Sequence, residues 1–243
     1  MTRIGIVSDI HGNLPALEAV LAVLLKEGVD IIISCGDLVG YGPWPGEVIS
    51  KVRDLGVIGV QGNHDAAACG ALPVDHFNAA ARKAIGWIRS RLSENEIEYL
   101  AGLPQTKIVE GMEVVHGSPR GPLWEYILDP WTAGESFRLL EADICLFGHS
   151  HIQGGFIAGG NGVETIDPRR GWIELFPGEQ YLVNPGSVGQ PRDGDPRAAC
   201  AIIDLKKNKV FYHRVPYDIS ATQREIIRVG LPRELADRLS EGR

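Results

Sequence analysis

The chain has 243 residues, a length that suits one sizeable α/β domain with a large buried core. Its 24 Lys and Arg against 31 Asp and Glu give a net charge of −7, so no overall positive field attracts nucleic acid or an anionic membrane. Hydrophobic residues at 44% and charged residues at 23% exclude a disordered, collagenous or coiled-coil chain.

Membrane insertion, export and disulfide bonding are also disfavoured by the sequence. The longest apolar stretch, residues 17–25, is far shorter than the roughly 18 residues that a membrane span requires. The first residues lack the apolar core of a signal peptide. The four cysteines lie far apart and form no C-x-x-C pair. We therefore expect a cytoplasmic protein with reduced thiols.

The first hundred residues alternate between short apolar strands and amphipathic helices. Strands are predicted at residues 3–8, 31–35 and 57–60, and helices at residues 14–27, 45–55, 77–91 and 93–100. Ser93 and Glu96 form a capping box at the start of the last of these helices. Residues 62–65, after the third strand, are expected to form a loop. Alternating strands and helices indicate a parallel sheet.

Strands dominate from residue 105 onward. They are predicted at residues 106–109, 112–116, 144–147, 153–158, 181–184, 198–204 and 210–214. Residues 159–162 indicate a turn, and residues 159–178 are expected to form a surface excursion. Two amphipathic helices near the end are expected to pack on the domain or on a second subunit. We predict one domain, residues 1–243, of two packed sheets with outer helices, in which residues 206–243 form a C-terminal strand and helical extension.

Polar clusters follow several predicted strands, where the loops of an open α/β sheet usually bind ligands. They are Asp9-Ile10-His11, Gly36-Asp37, Gly62-Asn63-His64-Asp65, Val115-His116-Gly117 and Gly148-His149-Ser150-His151. Imidazole nitrogens, carboxylate oxygens and one amide oxygen suit a pair of divalent cations. Because alternate residues of an extended segment point the same way, Asp9 and His11 are expected to hold one cation together. Asp37, alone at the end of a central strand, is the natural bridge to a second cation.

The order and spacing of these clusters resemble the calcineurin-like metallophosphoesterase superfamily. Its pattern D-x-H, G-D, G-N-H-[DE], H-G and G-H-x-H is complete here, and the resemblance extends from Ile4 to Ser187. The segment from Asn184 to Val188 resembles the closing segment of the small bacterial phosphodiesterase branch. The resemblance implies a four-layer α/β/β/α sandwich of two mixed sheets flanked by helices. It also implies hydrolysis of a phosphoric ester by metal-activated water.

The resemblance further assigns the ligands of two divalent cations. One cation would be held by Asp9, His11 and His151, the other by Asn63, His116 and His149, and Asp37 would bridge both. Mn²⁺ is the expected metal, and Ni²⁺, Fe²⁺ and Zn²⁺ are alternatives. His64 is expected to assist the leaving group, and Asp65 to orient the His64 ring.

Substrate contacts are expected from five further side chains, namely Tyr41, Arg120, Trp124, Tyr126 and Arg192. The loop that follows His116 carries a cation and two aromatic rings, which suit a phosphate and a nucleobase. Anchoring of this loop by buried aromatics would explain the same pattern. A plain turn at Tyr41 and an ion pair between Arg192 and Asp193 also remain open. Asn13 is interpreted as a helix cap rather than a substrate contact.

The expected function is a dinuclear phosphodiesterase, because no large cap domain is present to enclose the small phosphate of a monoester. Its partner would be a small phosphodiester or a nucleotide, with neither a membrane nor a nucleic acid involved, and a homo-oligomer is open. The alternative is a non-catalytic scaffold of the same fold that binds protein partners, or an adventitious metal binder. The retained His64 and the complete ligand set argue against the scaffold.

Overall fold

The chain forms two six-stranded sheets with helices on their outer faces, as seen in a computed structural model that describes residues 3–243. The strands are β1 (Arg3–Val7), β2 (Ile31–Ser34), β3 (Ile58–Gly59), β4 (Thr106–Val109), β5 (Met112–Val115), β6 (Ile144–Leu146), β7 (Gly154–Gly159), β8 (Gly162–Ile166), β9 (Trp172–Glu174), β10 (Gln180–Asn184), β11 (Ala198–Asp204) and β12 (Lys209–Val215). The helices are α1 (Leu14–Lys26), α2 (Pro45–Asp54), α3 (Asn63–Ala68), α4 (Ala79–Arg89), α5 (Glu94–Ala101), α6 (Pro130–Phe137), α7 (Ile219–Arg228) and α8 (Arg233–Asp237).

Both sheets are mixed. The first has the order β3-β2-β1-β11-β12-β9, in which β1, β2 and β3 are parallel and the other pairs are antiparallel. The second has the order β4-β5-β6-β10-β7-β8, in which β5, β6 and β10 are parallel. Helices α1 and α2 cover the first sheet, and α6 covers the second. The predicted four-layer α/β/β/α sandwich is confirmed.

Strand β1 shows why its sequence is apolar on both faces. Ile4 and Ile6 point between the sheets and are fully buried there. Val7 packs on the opposite side with α1, and Gly5 leaves room for Leu24 of that helix. Each fully buried side chain of this size contributes about 1.5–3 kcal/mol relative to an exposed one. A strand covered on both faces therefore has a continuous apolar run rather than a strict alternation.

Helix α3 is the main departure from the sequence prediction, because residues 62–65 were expected to form a loop and the helix begins at Asn63. The Asp65 carboxylate accepts the N–H of Gly62 at 3.1 Å, which caps the first turn. The run Ala66–Ala68 then continues a short helix, because alanine has a high helix propensity.

Helix α6, which was not predicted, begins where Asp129 caps the N–H groups of Trp131 and Thr132 at 2.9 Å.

One more difference, and the outcome of one open alternative, concern the second half of the chain. The predicted excursion at residues 159–178 contains β8, which forms a hairpin with β7, and β9, which joins the first sheet beside β12. The C-terminal helices α7 and α8 pack on this chain, where Ile226 and Leu235 are buried beside Ala81 of α4. Asn13 caps α1 as predicted. Within residues 3–243, every helix is too short or too polar to cross a membrane.

Gln153 links the two sheets and is 6% exposed. Its Nε2 lies 3.1 Å from the carbonyl oxygens of Pro185, Cys200 and His213, and its Oε1 accepts the Nε–H of Arg214 at 3.0 Å. We predict that Gln153→Leu lowers the free energy of unfolding by about 2–3 kcal/mol, because buried carbonyl groups lose their donor. Urea denaturation measures the loss. The exposed Gln105→Leu is the control, and equal losses in both variants would contradict the prediction.

Candidate active site

The predicted polar clusters meet because backbone hydrogen bonds join the loops that follow the parallel strands. The N–H of His11 donates to the carbonyl of Asp37 at 2.9 Å, which joins the loops after β1 and β2. The N–H of Gly148 donates to the carbonyl of His116 at 2.8 Å, which joins the loops after β5 and β6. The carboxyl ends of both sheets therefore supply one site.

The segment after β10 joins the loops of the two sheets to each other. The Asn184 Nδ2 donates to the carbonyl of Gly148 at 2.9 Å, and the Ser187 hydroxyl donates to the carbonyl of Asp9 at 2.8 Å. The N–H of Gly189 also donates to the Asp9 carbonyl, at 3.0 Å. The Asn-Pro-Gly-Ser motif therefore holds the site together without entering it.

Left-handed backbone geometry marks five of the predicted ligands, whose φ angles lie between 50° and 63°: Asp9, His11, Asp37, His149 and His151. Each such residue costs roughly 1–2 kcal/mol, and non-glycine residues in this region cluster at functional sites. The predicted reason for the convergence of Asp9 and His11, an extended D-x-H segment, is wrong. Their side chains meet because the chain turns at both residues.

Ring nitrogens without hydrogens face each other at one end of the site. His11 Nδ1 donates to the carbonyl of Val39 at 3.2 Å, and His151 Nδ1 donates to the carbonyl of Gln190 at 2.6 Å. Because a carbonyl only accepts, both neutral rings carry their hydrogen on Nδ1. Their Nε2 atoms lie 3.1 Å apart, and Asp9 Oδ1 lies 3.3 Å from Nε2 of His151. Lone pairs this close repel each other unless they share a cation.

The other end of the site repeats this arrangement. His116 Nδ1 donates to the carbonyl of Cys35 at 2.9 Å, so the neutral ring again points its Nε2 lone pair inward. That Nε2 lies 3.0 Å from Asn63 Oδ1 and 3.1 Å from His149 Nδ1. The predicted second set of ligands, His116, Asn63 and His149, is thus brought together.

Asp37 lies between the two ends. Its Oδ2 is 3.5 Å from Nε2 of His11 and 3.4 Å from Nε2 of His116. Among residues 3–243, this buried oxygen and Asp9 Oδ1 have no hydrogen-bond donor. Two orphaned carboxylate oxygens among inward lone pairs fit divalent cations. Three close groups of such ligand atoms are found among the described residues: Asp9, His11 and His151; Asp9, Asp37 and His116; and His11, Asp37 and His64.

The pKa values of Asp9 and His116 reflect the same demand for positive charge. Burial raises the pKa of Asp9 to about 7. Burial opposes a charge on His116, but the Asp37 and Asp9 carboxylates and the Cys35 carbonyl together outweigh it and raise the pKa of His116 to about 9. Burial lowers the pKa of His149 to about 3 and that of His64 to about 4. A proton on His116 and a divalent cation would compete for the same position.

His64 lies beside this centre, but Asp65 does not orient its ring as predicted. The Asp65 carboxylate accepts the N–H groups of Val39 and Gly62, each at 3.1 Å, and so joins the loops after β2 and β3. The ring of His64 instead has its Nε2 3.1 Å from the Tyr41 hydroxyl. Its main-chain N–H donates to Asp37 Oδ1 at 2.8 Å, which fixes the residue beside the centre.

Four of the five predicted substrate residues line a cleft of about 100 Å³ beside His64: Tyr41, Trp124, Tyr126 and Arg192. Tyr126 stacks on His149 with ring centroids 4.0 Å apart. The fifth, Arg120, is not among the lining residues, because its Nε donates to the Glu125 carboxylate at 2.8 Å.

The cleft clarifies Arg192 and adds residues that the sequence motifs did not indicate. The open pairing of Arg192 with Asp193 is not observed, since Asp193 forms an ion pair with Arg214. Arg192 Nη2 donates instead to Gln190 Oε1 at 2.9 Å. Phe77 and Asn78 also line the cleft, and their only sequence signal is their position just before α4, which Asn78 caps.

Comparison with known proteins agrees with this site. Residues 2–208 match the family described as the calcineurin-like phosphoesterase superfamily domain. The chain belongs to this superfamily. Membership implies a phosphoric ester hydrolase that uses divalent metal ions.

Three relatives illustrate the range of similarity. The crystal structure of a metallophosphoesterase from Sphaerobacter thermophilus has 40% sequence identity and a TM-score of 0.84, and the match covers 100% of this chain and 99% of that one. The uncharacterized protein MJ0912 of Methanocaldococcus jannaschii is 38% identical, with 100% of this chain and 99% of that protein covered. The phosphodiesterase YfcE of Escherichia coli K12 is 26% identical, with 81% and 84% covered.

Substitution of Gly62 tests whether close packing of the backbone positions the Asp37 carboxylate. A Cβ at Gly62 would lie 2.0 Å from Asp37 Oδ1 and 2.3 Å from its main-chain nitrogen. We predict that Gly62→Ala displaces this carboxylate and lowers the number of divalent cations bound per chain, as measured by elemental analysis after dialysis. Gly86→Ala is the control, because it lies on an exposed face of α4 with open space around it. Equal metal content in both folded variants would contradict the prediction.

Proposed function

We propose that this protein is a dinuclear-metal phosphodiesterase that hydrolyses a small, nucleotide-like phosphodiester. The observation that carries the proposal is the position of Asp37 Oδ2, which lies within 3.5 Å of inward-facing nitrogens at both ends of the site. A carboxylate oxygen between two such groups is in a position to bridge a pair of cations. A mononuclear site would leave the nitrogens at one end facing each other.

The distances between the side chains divide the proposed ligands into two sets. One cation would be held by Asp9, His11 and His151, and the other by Asn63, His116 and His149, with Asp37 between them. Nitrogen and oxygen ligands without thiolate suit Mn²⁺, which we propose as the metal, and also suit Fe²⁺, Ni²⁺ and Zn²⁺. Such a pair supplies the positive charge that activates water and neutralises the phosphoryl oxygens.

The chain's own residues would position the phosphate. Arg192 lines the cleft, and its buried Nε has no hydrogen-bond acceptor within residues 3–243. A guanidinium without a carboxylate partner in such a place suits a phosphoryl oxygen. His64, on the same cleft, also has a buried ring nitrogen, Nδ1, without a partner in the described chain. We propose that His64 assists the departure of the leaving group.

The shape of the cleft supports a diester over a monoester. A volume of about 100 Å³ holds little beyond a phosphoryl group, so the rest of a substrate must lie outside. On one side the cleft meets Trp124 and Tyr126, which are 37% and 45% exposed and offer aromatic surface to a base. Beyond Asn78 and Arg192 lies a groove of about 480 Å³, lined by Arg238 and Arg243 and by the acidic residues Glu234, Asp237 and Glu241. Each arm of a diester therefore has its own surface.

Metal reconstitution tests the proposal. We expect the protein, stripped and then supplied separately with Mn²⁺, Ni²⁺, Zn²⁺ or Mg²⁺, to cleave a chromogenic phosphodiester faster than the matching monoester. Asp37→Asn should lose bound metal and lower the diesterase rate by more than roughly 100-fold, whereas the exposed Asp54→Asn should not. Absence of turnover with every metal would overturn the proposal and favour the scaffold function.

Replacement of His64 tests its proposed role in catalysis. We expect His64→Ala to keep its metal content but to lose roughly 10²- to 10⁴-fold in kcat on a diester with a poor leaving group. The loss should be smaller on a chromogenic diester, whose leaving group needs little help. His213→Ala, on β12, is the matched control for removal of an imidazole. Equal losses on both substrates would contradict a role at the leaving group.

A further inference from the structure

We propose that Tyr41 is a positioning residue that holds the His64 ring in the tautomer with its hydrogen on Nδ1, so that a neutral imidazole donates into the cleft. The inference rests on the proposed function and deepens it, because it assigns the direction of the hydrogen bond that His64 offers to a substrate oxygen. It also gives Tyr41 a role other than direct contact with the substrate.

Tyr41 joins two groups of the cleft through its hydroxyl. The oxygen lies 3.1 Å from Nε2 of His64 and 3.4 Å from Nη2 of Arg192. The guanidinium carbon of Arg192 also lies 5.7 Å from the centroid of the Tyr41 ring. Tyr41 is only 6% exposed, and these two groups are the side-chain partners of its hydroxyl within residues 3–243.

The chemistry of Arg192 fixes the direction of this chain of hydrogen bonds. A guanidinium has only donors, so Arg192 donates to the Tyr41 oxygen. The Tyr41 hydrogen then needs an acceptor, and Nε2 of His64 is the acceptor within reach in the described structure. If His64 donated instead, Tyr41 would accept twice and its own hydrogen would be left buried without a partner. The arrangement that gives the Tyr41 hydrogen an acceptor leaves Nε2 of His64 without a hydrogen.

The other nitrogen of His64 must then carry the hydrogen. Nδ1 is buried and has no partner in residues 3–243, and His64 lines the cleft. Asp65 makes no competing bond to the ring, because its two oxygens accept main-chain N–H groups. The His64 N–H is therefore available to the phosphate or to its leaving oxygen. A preorganised donor of this kind needs no reorientation as negative charge develops.

The Tyr41 ring is held rigidly enough for this task. It packs against His11 and His64 with centroid distances of 4.6 Å to each, and it belongs to the buried cluster that includes Phe77 and Leu239. The C-terminal extension thus supports the residue that orients His64. Loss of the hydroxyl alone should leave this packing intact.

The tautomer can be read by nuclear magnetic resonance on protein with ¹⁵N-labelled histidine, both metal-free and loaded with diamagnetic Zn²⁺. Two-bond ¹⁵N–¹H correlations show which ring nitrogen carries the hydrogen, and the His64 signal is the one missing from His64→Ala. We expect hydrogen on Nδ1 in the wild type and a shift to Nε2 in Tyr41→Phe. Tyr212→Phe, which removes a buried hydroxyl bonded to the Gly154 carbonyl, should leave the His64 tautomer unchanged.

Hydrogen on Nε2 of His64 in the wild type would overturn the inference. That result in the Zn²⁺ form alone would mean that Nδ1 binds metal, which also overturns it. Because this measurement needs no turnover, its outcome is separate from that of the proposed function, which fails if the reconstituted wild type is inactive or prefers the monoester.

Kinetics provide the second readout. Tyr41→Phe should lower kcat on a diester with a poor leaving group by roughly 10- to 100-fold, part of the usual benefit of an oriented donor. In the His64→Ala background, the same substitution should change kcat less than about twofold, because Tyr41 acts through His64. Independent, multiplicative losses in the double variant would show that Tyr41 acts elsewhere and would overturn the inference.

Discussion

Mutual repulsion among buried lone pairs is the constraint on which the rest of this structure depends. Main-chain carbonyls of Cys35, Val39 and Gln190 take the Nδ1 hydrogens of three histidines, so each ring in its neutral form points an unprotonated nitrogen at its neighbours. The Asp37 carboxylate adds negative charge among them. Such a cluster is unfavourable by itself and becomes favourable around cations.

Hydrogen bonds between the loops of the two sheets hold these groups together in spite of the repulsion. Loops after β1 and β2 supply one part of the cluster, and loops after β5 and β6 supply another. Hydrogen bonds from Asn184 and Ser187 hold the loops of one sheet to those of the other. Left-handed residues in these loops add strain of roughly 1–2 kcal/mol each, which the surrounding bonds and the buried core must offset. Stability and metal binding are therefore linked through the same loops.

Much of the fold, and the convergence of the polar clusters at one site, could be predicted from local sequence. Strands covered on both faces are continuous apolar runs, and the polar clusters at their ends are short and ordered along the chain. Long-range hydrogen bonds could not be predicted in this way. Asp65 follows His64 directly, yet its partners are the N–H groups of Val39 and Gly62, and the ring of His64 meets Tyr41. Adjacency in sequence was a poor guide to side-chain contact.

Two arginines also show that position in the sequence does not predict side-chain contact. Arg120 and Arg192 both follow a sequence motif of the site, but Arg120 is held by Glu125 outside the cleft. Arg192 forms no ion pair with its neighbour Asp193, because Asp193 pairs with Arg214 of β12. The positive charge of Arg192 therefore remains available in the cleft. A chain of net charge −7 can thus present unpaired positive charge where a phosphate would bind. At physiological ionic strength the surface charges farther than about 8 Å away are largely screened, so attraction of an anion depends on these near neighbours rather than on composition.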